Sequence, residues 1–580
     1  MKRAKKYPLT YFLRGYGKQS ILAPLFKLLE ALFDLFVPLV VAEIIDVGIA
    51  QNDIPFILRC CALLIALGVV GLVCAITAQW YAAQAAIGCA TSMRHTLYQH
   101  IQTLDFSQMD TLGGSTLITR LTSDINQVQN GLNMALRLFM RSPFIVLGSV
   151  AMAFTIDTDA ALVFVATVPV LSLIVFGLMR LTAPRYKKTQ GQLDRVLRLT
   201  RENLTGVRVV RAFGREEQEE QQFYRENQQL TRIQLGVGRL SALMNPLTYV
   251  AVNLAAVAVL YVGGRQVDGG ILLSGDVYAL TNYMSQILVE LVKLANTIVL
   301  VSKAMACTGR IQSVLDLEPQ MTFSTGQMDL DGREAIGFDH VSLTYADADD
   351  ESLRDLCFSI RRGETFGIIG GTGSGKSSVV NLIPRFYDAT AGQVRLFSRP
   401  IQDIPKEQLR SAVGVVPQRA QLFSGTIRSN LLWGNENATD EELWAALETA
   451  QAAEFVRGKP RGLDEVVEQG GRNLSGGQRQ RLTIARALVK KPEILILDDS
   501  ASALDFATDA ALRKALKALP GQMTVVIVSQ RTSSLQHADQ ILVLEDGHPV
   551  GLGNHQQLLE TCGVYREIYD SQFQKGGDRA

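Results

Sequence analysis

Apolar residues are unevenly distributed along this chain of 580 residues, because long apolar runs fill the first half and short alternating runs fill the second. Six apolar segments lie near residues 20–48, 56–87, 132–156, 159–182, 241–264 and 274–306. A helix needs about 20 apolar residues to cross the hydrocarbon core of a bilayer. The six segments therefore predict six membrane-spanning helices, and the first, second and last are long enough to extend into water.

Positive charge alternates between the two sides of these predicted spans. The N-terminal tail and the connection 183–240 are rich in Lys and Arg, and Arg94, Arg120, Arg137 and Arg141 lie in or shortly after the connection 88–130, whereas the turn at 157–159 is acidic. The positive-inside rule places the basic connections in the cytoplasm. Both connections have helical periodicity and few helix breakers, so we expect long helices that project into the cytoplasm. The alternative is ordinary loops that carry orienting charge.

Composition limits the classes of partner. The formal net charge is +1, which gives no sign of nucleic-acid binding and predicts no nucleic-acid partner. The seven cysteines are scattered along the chain, and none of them has metal-ligand spacing, so we expect seven free thiols.

A phosphate-binding motif appears in the second half, where the pattern changes to short strands and Gly-rich turns. The apolar strand 365–369 leads into a loop and then an apolar helix that starts near Ser378. The loop residues are Gly370, Gly371, Thr372, Gly373, Ser374, Gly375, Lys376 and Ser377. This matches G-x-x-x-x-G-K-[ST] between a strand and a helix. We expect backbone N–H groups and Lys376 to hold the phosphates of ATP, and Ser377 to bind Mg²⁺.

A second motif would complete a magnesium site. Four apolar residues at 494–497 end in Asp498, as in a buried strand that brings a carboxylate to the edge of a sheet. This motif is weak evidence by itself, and the phosphate-binding loop upstream strengthens its assignment as a magnesium ligand.

A third motif resembles one family specifically. Leu474 is followed by Ser475, Gly476, Gly477 and Gln478, and then by a helix. Leu-Ser-Gly-Gly-Gln is similar to the signature of ABC ATPases. A Gly-rich backbone and a Ser hydroxyl at a helix N-terminus suit an anionic γ-phosphate. The alternative is that Ser475 is only a helix cap.

The resemblance implies further roles for residues at matching positions. Tyr345 is similar to the aromatic that stacks on adenine, Gln418 to the Q-loop glutamine that meets Mg²⁺, and residues 502–505 to the D-loop. Residues 106–124 and 202–223 resemble the intracellular loops of ABC exporters, each of which ends in a short helix that rests on an ATPase domain.

The resemblance covers nearly the whole chain and implies its architecture. We expect an all-α transmembrane domain with six helices at residues 1–322, followed by an α/β P-loop ATPase domain of ABC type at residues 323–580. The cofactors would be ATP and Mg²⁺. One such chain is a half-transporter, which must dimerise in the cell membrane with its ATPase domain in the cytoplasm.

Two catalytic positions depart from the family pattern. Asp499 stands where the family has Glu as general base, and its carboxylate is one methylene shorter. Gln530 stands where the family has a His that contacts the γ-phosphate, and an amide carries no positive charge. The signature is intact, and in ABC dimers it faces the partner's P-loop. The pattern resembles the degenerate-site subunit of heterodimeric bacterial multidrug exporters. The alternative is a homodimer with two impaired sites.

Polar residues interrupt the last apolar segment at helical spacing. They are Asn282, Gln286, Glu290, Lys293 and Thr297. Charges at membrane depth usually face a cavity or a partner. This face is therefore either a wall of the translocation pathway or a local Glu290–Lys293 pair. Arg137 and Arg141 are interpreted as interface residues.

The leading hypothesis is export of amphipathic drugs or lipids. The alternatives are a peptide, sterol or siderophore transporter of the same fold, a soluble ABC ATPase and a regulatory ATP sensor. The six apolar segments argue against the soluble ATPase, and the intact signature argues against the sensor.

Overall fold

The structure is a computed structural model that describes residues 7–327, 331–346, 348–500, 502–519, 521 and 523–573. The chain divides into two compact units. The first unit comprises Met1–Gln102 and Ser115–Leu317, and the second comprises Thr103–Gly114 and Glu318–Ala580. The predicted domain boundary between residues 322 and 323 stays a prediction. Segment 103–114 lies between two membrane helices in the sequence and nevertheless belongs to the second unit.

Helices make up the first unit. In chain order the α-helices up to residue 315 are α1 Leu9–Phe12, α2 Gly17–Glu43, α3 Ile54–Ile101, α4 Phe106–Leu112, α5 Gly114–Thr119, α6 Ile125–Met134, α7 Arg141–Ile156, α8 Thr158–Thr205, α9 Val207–Ala212, α10 Glu216–Ala242, α11 Met244–Asp268 and α12 Ser274–Leu315. A 3₁₀ turn lies at Arg14–Tyr16, and π-helical turns lie at Ile44–Ile49, Arg120–Asp124 and Ala135–Phe139. Of these helices, α4 belongs to the second unit.

Five helical stretches in the described part of the chain are long and apolar enough to cross a membrane. They are Ile54–Ile101, Gly114–Ile156, Thr158–Thr205, Glu216–Asp268 and Ser274–Leu315, and they contain five of the six predicted spans. Helices α3 and α8 have 48 residues each. At 1.5 Å per residue such a helix is about 72 Å long, more than twice the thickness of a hydrocarbon core. The prediction of helices that extend well beyond the membrane is confirmed.

The first predicted span differs from the other five. It forms α2, which has 27 residues and is therefore long enough to span. Its composition is more polar than predicted, because Lys27, Glu30 and Asp34 lie in its middle. These charges form ion pairs, as described below, so they are not left unpaired among apolar neighbours.

Small residues bring helices of the first unit close together. A Cβ on Gly275, near the start of α12, would lie 2.4 Å from the carbonyl oxygen of Ala42 in α2. The Gly275 N–H donates to Oδ1 of Asp46 at 2.7 Å. Close backbone approach at small residues is the usual way in which membrane helices pack.

The second unit contains three sheets. Its strands are β1 Glu334–Leu343, β2 Leu353–Arg361, β3 Thr365–Gly370, β4 Ala391–Leu396, β5 Arg399–Pro400, β6 Val413–Val416, β7 Gly425–Thr426, β8 Val466–Val467, β9 Ile494–Asp498, β10 Thr524–Val528, β11 Gln540–Glu545 and β12 His548–Gly553. The main sheet has the strand order β12-β11-β3-β10-β9-β6, with β12 antiparallel to the parallel remainder. A four-stranded sheet has the order β2-β1-β4-β5, and β7 pairs with β8.

Helices surround these sheets. They are α13 Lys376–Leu382, α14 Lys406–Ala412, α15 Ile427–Leu431, α16 Asp440–Thr449, α17 Ala453–Arg457, α18 Gly476–Val489, α19 Phe506–Lys517, α20 Thr532–Leu535, α21 His555–Thr561 and α22 Gly563–Phe573, with 3₁₀ turns at Ile401–Asp403, Gly462–Asp464 and Gln469–Gly471. The central strands β3, β9 and β10 are buried along almost their whole length, as strands covered on both faces must be. This mostly parallel sheet with flanking helices is the predicted α/β class.

Candidate nucleotide-binding site

Four neighbouring parallel strands bring the predicted site residues to one edge of the main sheet. The phosphate-binding loop follows β3, Gln530 follows β10, Asp498 ends β9 and Gln418 follows β6. In the sheet these strands have the order β3-β10-β9-β6, and each pairs with the next in parallel. Ligands of open parallel sheets bind beyond the carboxyl ends of the strands. Gly370 and Gln530, which are 160 residues apart in sequence, therefore meet at one edge.

The phosphate-binding loop has the backbone that its glycines predict. Gly373 and Gly375 have φ angles of 84° and 92°, a region that favours glycine. A Cβ on Gly375 would also lie 2.8 Å from the carbonyl oxygen of Ser352. The Nζ of Lys376 donates to the carbonyl oxygen of Gly370 at 2.9 Å and lies 3.2 Å from Oγ of Ser374. The lysine thus bends back over the loop whose N–H groups would surround the phosphates.

Burial shifts the pKa of each charged group at this edge. The pKa of Lys376 is lowered by burial, and the carboxylates of Asp499 and Asp498 oppose that shift. The pKa of Asp498 is raised by burial and by its neighbour Asp499. The pKa of Asp499 is raised by burial, and a hydrogen bond from Gln418 opposes that rise. Burial disfavours the charged form of each of these groups. A cation bound beside the carboxylates and an anion bound beside the lysine would therefore stabilise their charged forms.

Asp499 and Gln530 occupy different surroundings at the edge. Asp499 has a φ of 43°, in the left-handed region, and its Oδ2 accepts from Nε2 of Gln418 at 3.3 Å. Among larger residues, Asp and Asn adopt that region most readily. The side chain of Gln530 is exposed, and its backbone carbonyl accepts from Nε2 of Gln572 at 2.7 Å. The backbone therefore suits Asp at position 499.

Aromatic residues connect this edge to α4. The hydroxyl of Tyr345 donates to Oγ of Ser378 at 3.0 Å, which places the predicted adenine-stacking residue beside the phosphate-binding loop. The rings of Tyr345 and Tyr387 meet edge to face, with centroids 5.0 Å apart. The hydroxyl of Tyr387 in turn donates to Asp110 of α4. The pKa of Tyr387 is raised by burial and by that carboxylate.

Helix α4 is also held at its N-terminal end by other residues of the second unit. Phe106 packs on Phe386 with ring centroids 4.6 Å apart. Oδ2 of Asp105 accepts from the backbone N–H groups of Gln320 and Met321 at 2.6 and 3.0 Å. The expected short helix of the first intracellular loop is thus found, and it contacts the ATPase unit of its own chain. The aromatic pair Phe386–Tyr387 is a site feature that the sequence reading missed.

A cavity of about 810 Å³ lies beside the phosphate-binding loop. The described residues that line it are Ala348, Asp349, Asp350, Glu351, Ser352, Arg354, Gly373, Ser374, Gly375, Lys376, Ser377, Ser378, Asp546 and Gly547. Sequence reasoning missed the acidic segment 349–351 and the turn at Asp546–Gly547, although Asp-Gly between two strands is a strong hairpin signal. The signature residues are not among the described residues that line this cavity.

The signature lies at the start of α18. Oγ of Ser475 accepts from the N–H of Gln478 at 3.3 Å, and Oε1 of Gln478 accepts from the N–H of Ser475 at 3.0 Å. Ser475 is therefore a helix cap, as the alternative interpretation held. The contact of Ser475 with a γ-phosphate stays a prediction. A Cβ on Gly476 would meet nothing within 4 Å, whereas one on Gly477 would lie 3.1 Å from the carbonyl oxygen of Ala503.

The residues at this edge fit ATP and Mg²⁺. The positive-φ glycines hold backbone N–H groups in the loop, and Lys376 supplies a cation for phosphate oxygens. Ser377, Gln418 and Asp498 supply the oxygen donors that Mg²⁺ prefers. Bound there, Mg²⁺ would neutralise charge on the phosphates.

Comparisons with known proteins agree with this architecture. Residues 20–291 match the family described as ABC transporter transmembrane region, and residues 353–502 match the family described as ABC transporter. The chain is 36% identical over 570 residues to an uncharacterised ABC transporter ATP-binding protein, YfiB, of Bacillus subtilis, covering 98% of this chain and 99% of that protein. It therefore belongs to the ABC transporter family, as a half-transporter with a transmembrane region fused to an ATPase domain.

Two further relatives have named functions, and a third has a solved structure. An ATP-dependent lipid A-core flippase of Syntrophus aciditrophicus is 32% identical, covering 83% of this chain and 80% of that protein. A multidrug efflux ATP-binding/permease protein of Mycobacterium bovis is 33% identical, covering 92% of this chain and 44% of that protein. A bacterial Atm1-family ABC exporter solved with ATP bound has the same fold, with a TM-score of 0.81 at 23% identity, covering 96% of this chain and 99% of that one. The chain is thus an ATP-driven transporter of the ABC family and a multi-pass membrane protein with a cytoplasmic ATPase domain.

Proposed function

We propose that this chain is one subunit of a heterodimeric ABC exporter that moves amphipathic drugs or lipids out of the cytoplasm. Its own phosphate-binding loop forms a slow ATP site, and its signature completes the competent site of the partner. The observation that carries the proposal is the pairing of two altered catalytic positions, Asp499 and Gln530, with an intact signature on α18.

The surroundings of Asp499 support a slow site. Its carboxylate is one methylene shorter than that of Glu and accepts a hydrogen bond from Gln418, so it reaches less far toward an attacking water. Gln530 offers a neutral amide, so the γ-phosphate would lack a cation at that position. In this proposal Ser377, Gln418 and Asp498 hold Mg²⁺, and Tyr345 stacks on adenine. ATP would be held firmly and hydrolysed slowly.

The substrate class rests on the relatives. A lipid A-core flippase and a multidrug efflux protein both resemble this chain over most of its length. Lipids and many drugs partition into membranes, which supports an amphipathic substrate.

The decisive experiment measures ATPase rate and dye efflux for the assembled exporter in vesicles. Asp499→Asn should lower steady-state hydrolysis by less than about threefold, because its site contributes little chemistry. Replacement of the equivalent carboxylate in the partner should lower it by about 10²–10⁴-fold. Equal losses would show that the Asp499 site is catalytic, and full activity of this chain purified alone would contradict the heterodimer.

A further inference from the structure

A network of six charged residues lies inside the transmembrane unit. Arg141 of α7 donates to Glu290 of α12 at 2.6 Å and to Asp34 of α2 at 2.8 Å. Lys293 pairs with Glu290 at 2.9 Å. Lys27 pairs with Glu30 at 2.5 Å, and Glu30 also lies 3.9 Å from Arg141. Three cations and three carboxylates thus join three helices, and their formal charges cancel.

The three helices bring the network to one depth. Arg141, Asp34 and Glu290 each lie about 16 residues, or about 24 Å of helix, from the end of their helical stretch that faces away from the cytoplasm. A hydrocarbon core is about 30 Å thick. The network therefore lies near the cytoplasmic leaflet, where the headgroup of a lipid in that leaflet is found.

Most polar atoms at the centre of the network have partners. Glu290 is only 4% exposed and accepts hydrogen bonds from three groups, namely Arg141, Lys293 and the hydroxyl of Ser142 at 2.8 Å. Arg141 is held between two carboxylates, and its side chain is 11% exposed. These two residues fasten α7 to α12, and Nε of Arg141 is buried without a partner in the described part of the chain.

Two outer members of the network, Asp34 and Lys293, are accessible to solvent. The side chains of Asp34 and Lys293 are 45% and 44% exposed. Both line a cavity of about 350 Å³ whose apolar wall includes Val37, Ile145 and Val289. Gln286 also lines it, and its Oε1 is buried without a partner in the described part of the chain. A buried polar atom without a partner is costly and suits a ligand that donates a hydrogen bond.

We propose that this cavity binds the zwitterionic headgroup of a membrane lipid, an inference that rests on the proposed export of amphipathic molecules. Asp34 and the Oε1 of Gln286 accept from a primary ammonium group. Lys293 donates to the phosphate. The acyl chains lie along the apolar wall of Val37, Ile145 and Val289.

The balance of charge favours this class of ligand over simpler ones. A ligand with only a positive charge would meet Lys293, and one with only a negative charge would meet Asp34, so each would face repulsion at one end. A neutral ligand would cover both charges without replacing their hydration, which is costly at this depth. A headgroup with one charge of each sign satisfies both ends.

The test uses the assembled exporter in nanodiscs and measures its affinity for short-chain phosphatidylethanolamine, phosphatidylglycerol and phosphatidylcholine. The parent should prefer phosphatidylethanolamine, because phosphatidylglycerol lacks the ammonium and phosphatidylcholine lacks its N–H donors. Asp34→Asn should weaken phosphatidylethanolamine binding by roughly tenfold and leave phosphatidylglycerol binding nearly unchanged. Lys293→Gln should weaken both. Asp34→Glu should retain the preference.

Matched controls lie on the same two helices. Glu43 of α2 and Lys303 of α12 are exposed and do not line the cavity, so Glu43→Gln and Lys303→Gln should leave lipid selectivity unchanged. The inference is overturned if the parent shows no preference, or if Asp34→Asn behaves like Glu43→Gln. It is also overturned if water-soluble phosphoethanolamine competes as well as the lipid. Absence of selectivity in the parent with dye efflux intact contradicts only this inference, whereas absence of any ATP-driven efflux contradicts the proposed function.

Discussion

The edge of the main sheet and the start of α18 differ in how closely each keeps the family pattern. The sheet edge keeps its phosphate-binding loop and Asp498 but has Asp499 and Gln530 at the two positions that serve hydrolysis. The start of α18 keeps Ser475, Gly476 and Gly477 unchanged. The difference fits the proposed function, in which what the chain binds for itself and what it would supply to a partner are held by different elements.

The largest effect should come from Gly476. A Cβ there meets nothing within 4 Å in its own chain, so Gly476→Ala leaves the local fold undisturbed and acts only on what approaches from outside. We expect ATPase activity of the assembled exporter to fall by about 10²-fold, the usual cost of losing one backbone contact to a transferring group. ATP binding to this chain should persist.

Gly563→Ala is the matched control for that change. Gly563 is also the first residue of a helix, α22, and its Cβ would also meet nothing within 4 Å. Its ATPase rate should equal the parent's. An unchanged rate in Gly476→Ala would break the comparison, because the signature would then have no role in turnover.

The next largest effect concerns nucleotide binding at the sheet edge. Lys376→Ala removes a cation from the phosphates, so we expect ATP affinity of this chain's own site to fall by about ten- to a hundredfold. Photolabelling with an ATP analogue measures this. Lys490→Ala is the control, because Lys490 is also partly buried, with a pKa lowered by burial, but donates to the carbonyl of Val413. Equal labelling of both variants would contradict the assignment.

A smaller effect should appear where the sheet edge meets α4. Tyr387→Phe removes the hydrogen bond to Asp110, which contributes about 0.5–1.5 kcal/mol. Hydrogen exchange of the α4 amides should become about two- to tenfold faster. Tyr565→Phe removes a hydroxyl that meets His555 elsewhere in the unit and should leave these amides unchanged. If both variants exchange alike, the tyrosine does not hold α4.

The smallest effect tests why Asp occupies position 499. Because its φ is 43°, Asp499→Glu should lower the free energy of unfolding of the ATPase unit by about 0.5 kcal/mol, since Glu adopts the left-handed region less readily. Asp499→Asn should show no such loss. Calorimetry measures both, and a more stable Glu variant would show that the backbone places no restriction on this position.

Local pattern was sufficient to predict the fold class and the phosphate-binding edge. Apolar runs predicted five of the six spans well. Motifs that join a strand to a loop predicted the roles of Lys376 and Asp498, because the residues of each motif are adjacent in the sequence. The charge of α2 was underestimated, since Arg141, the partner of its Asp34, lies 107 residues away. The contacts of Phe386 and Tyr387 with α4 could not be predicted either, because tertiary packing unites distant segments that share no motif.

Helix α4 has a consequence for the order in which the chain is made. Asp110 and its partner Tyr387 are 277 residues apart in sequence, and both lie in the ATPase unit. At about 5–20 residues per second, the ribosome needs roughly 14–55 s to travel between them. During that interval segment 103–114 has left the ribosome without the surface that it will bind. An ATPase unit expressed alone, without this segment, would expose Phe386 and Tyr387 to solvent. The segment that covers these two residues is encoded within the membrane half of the chain.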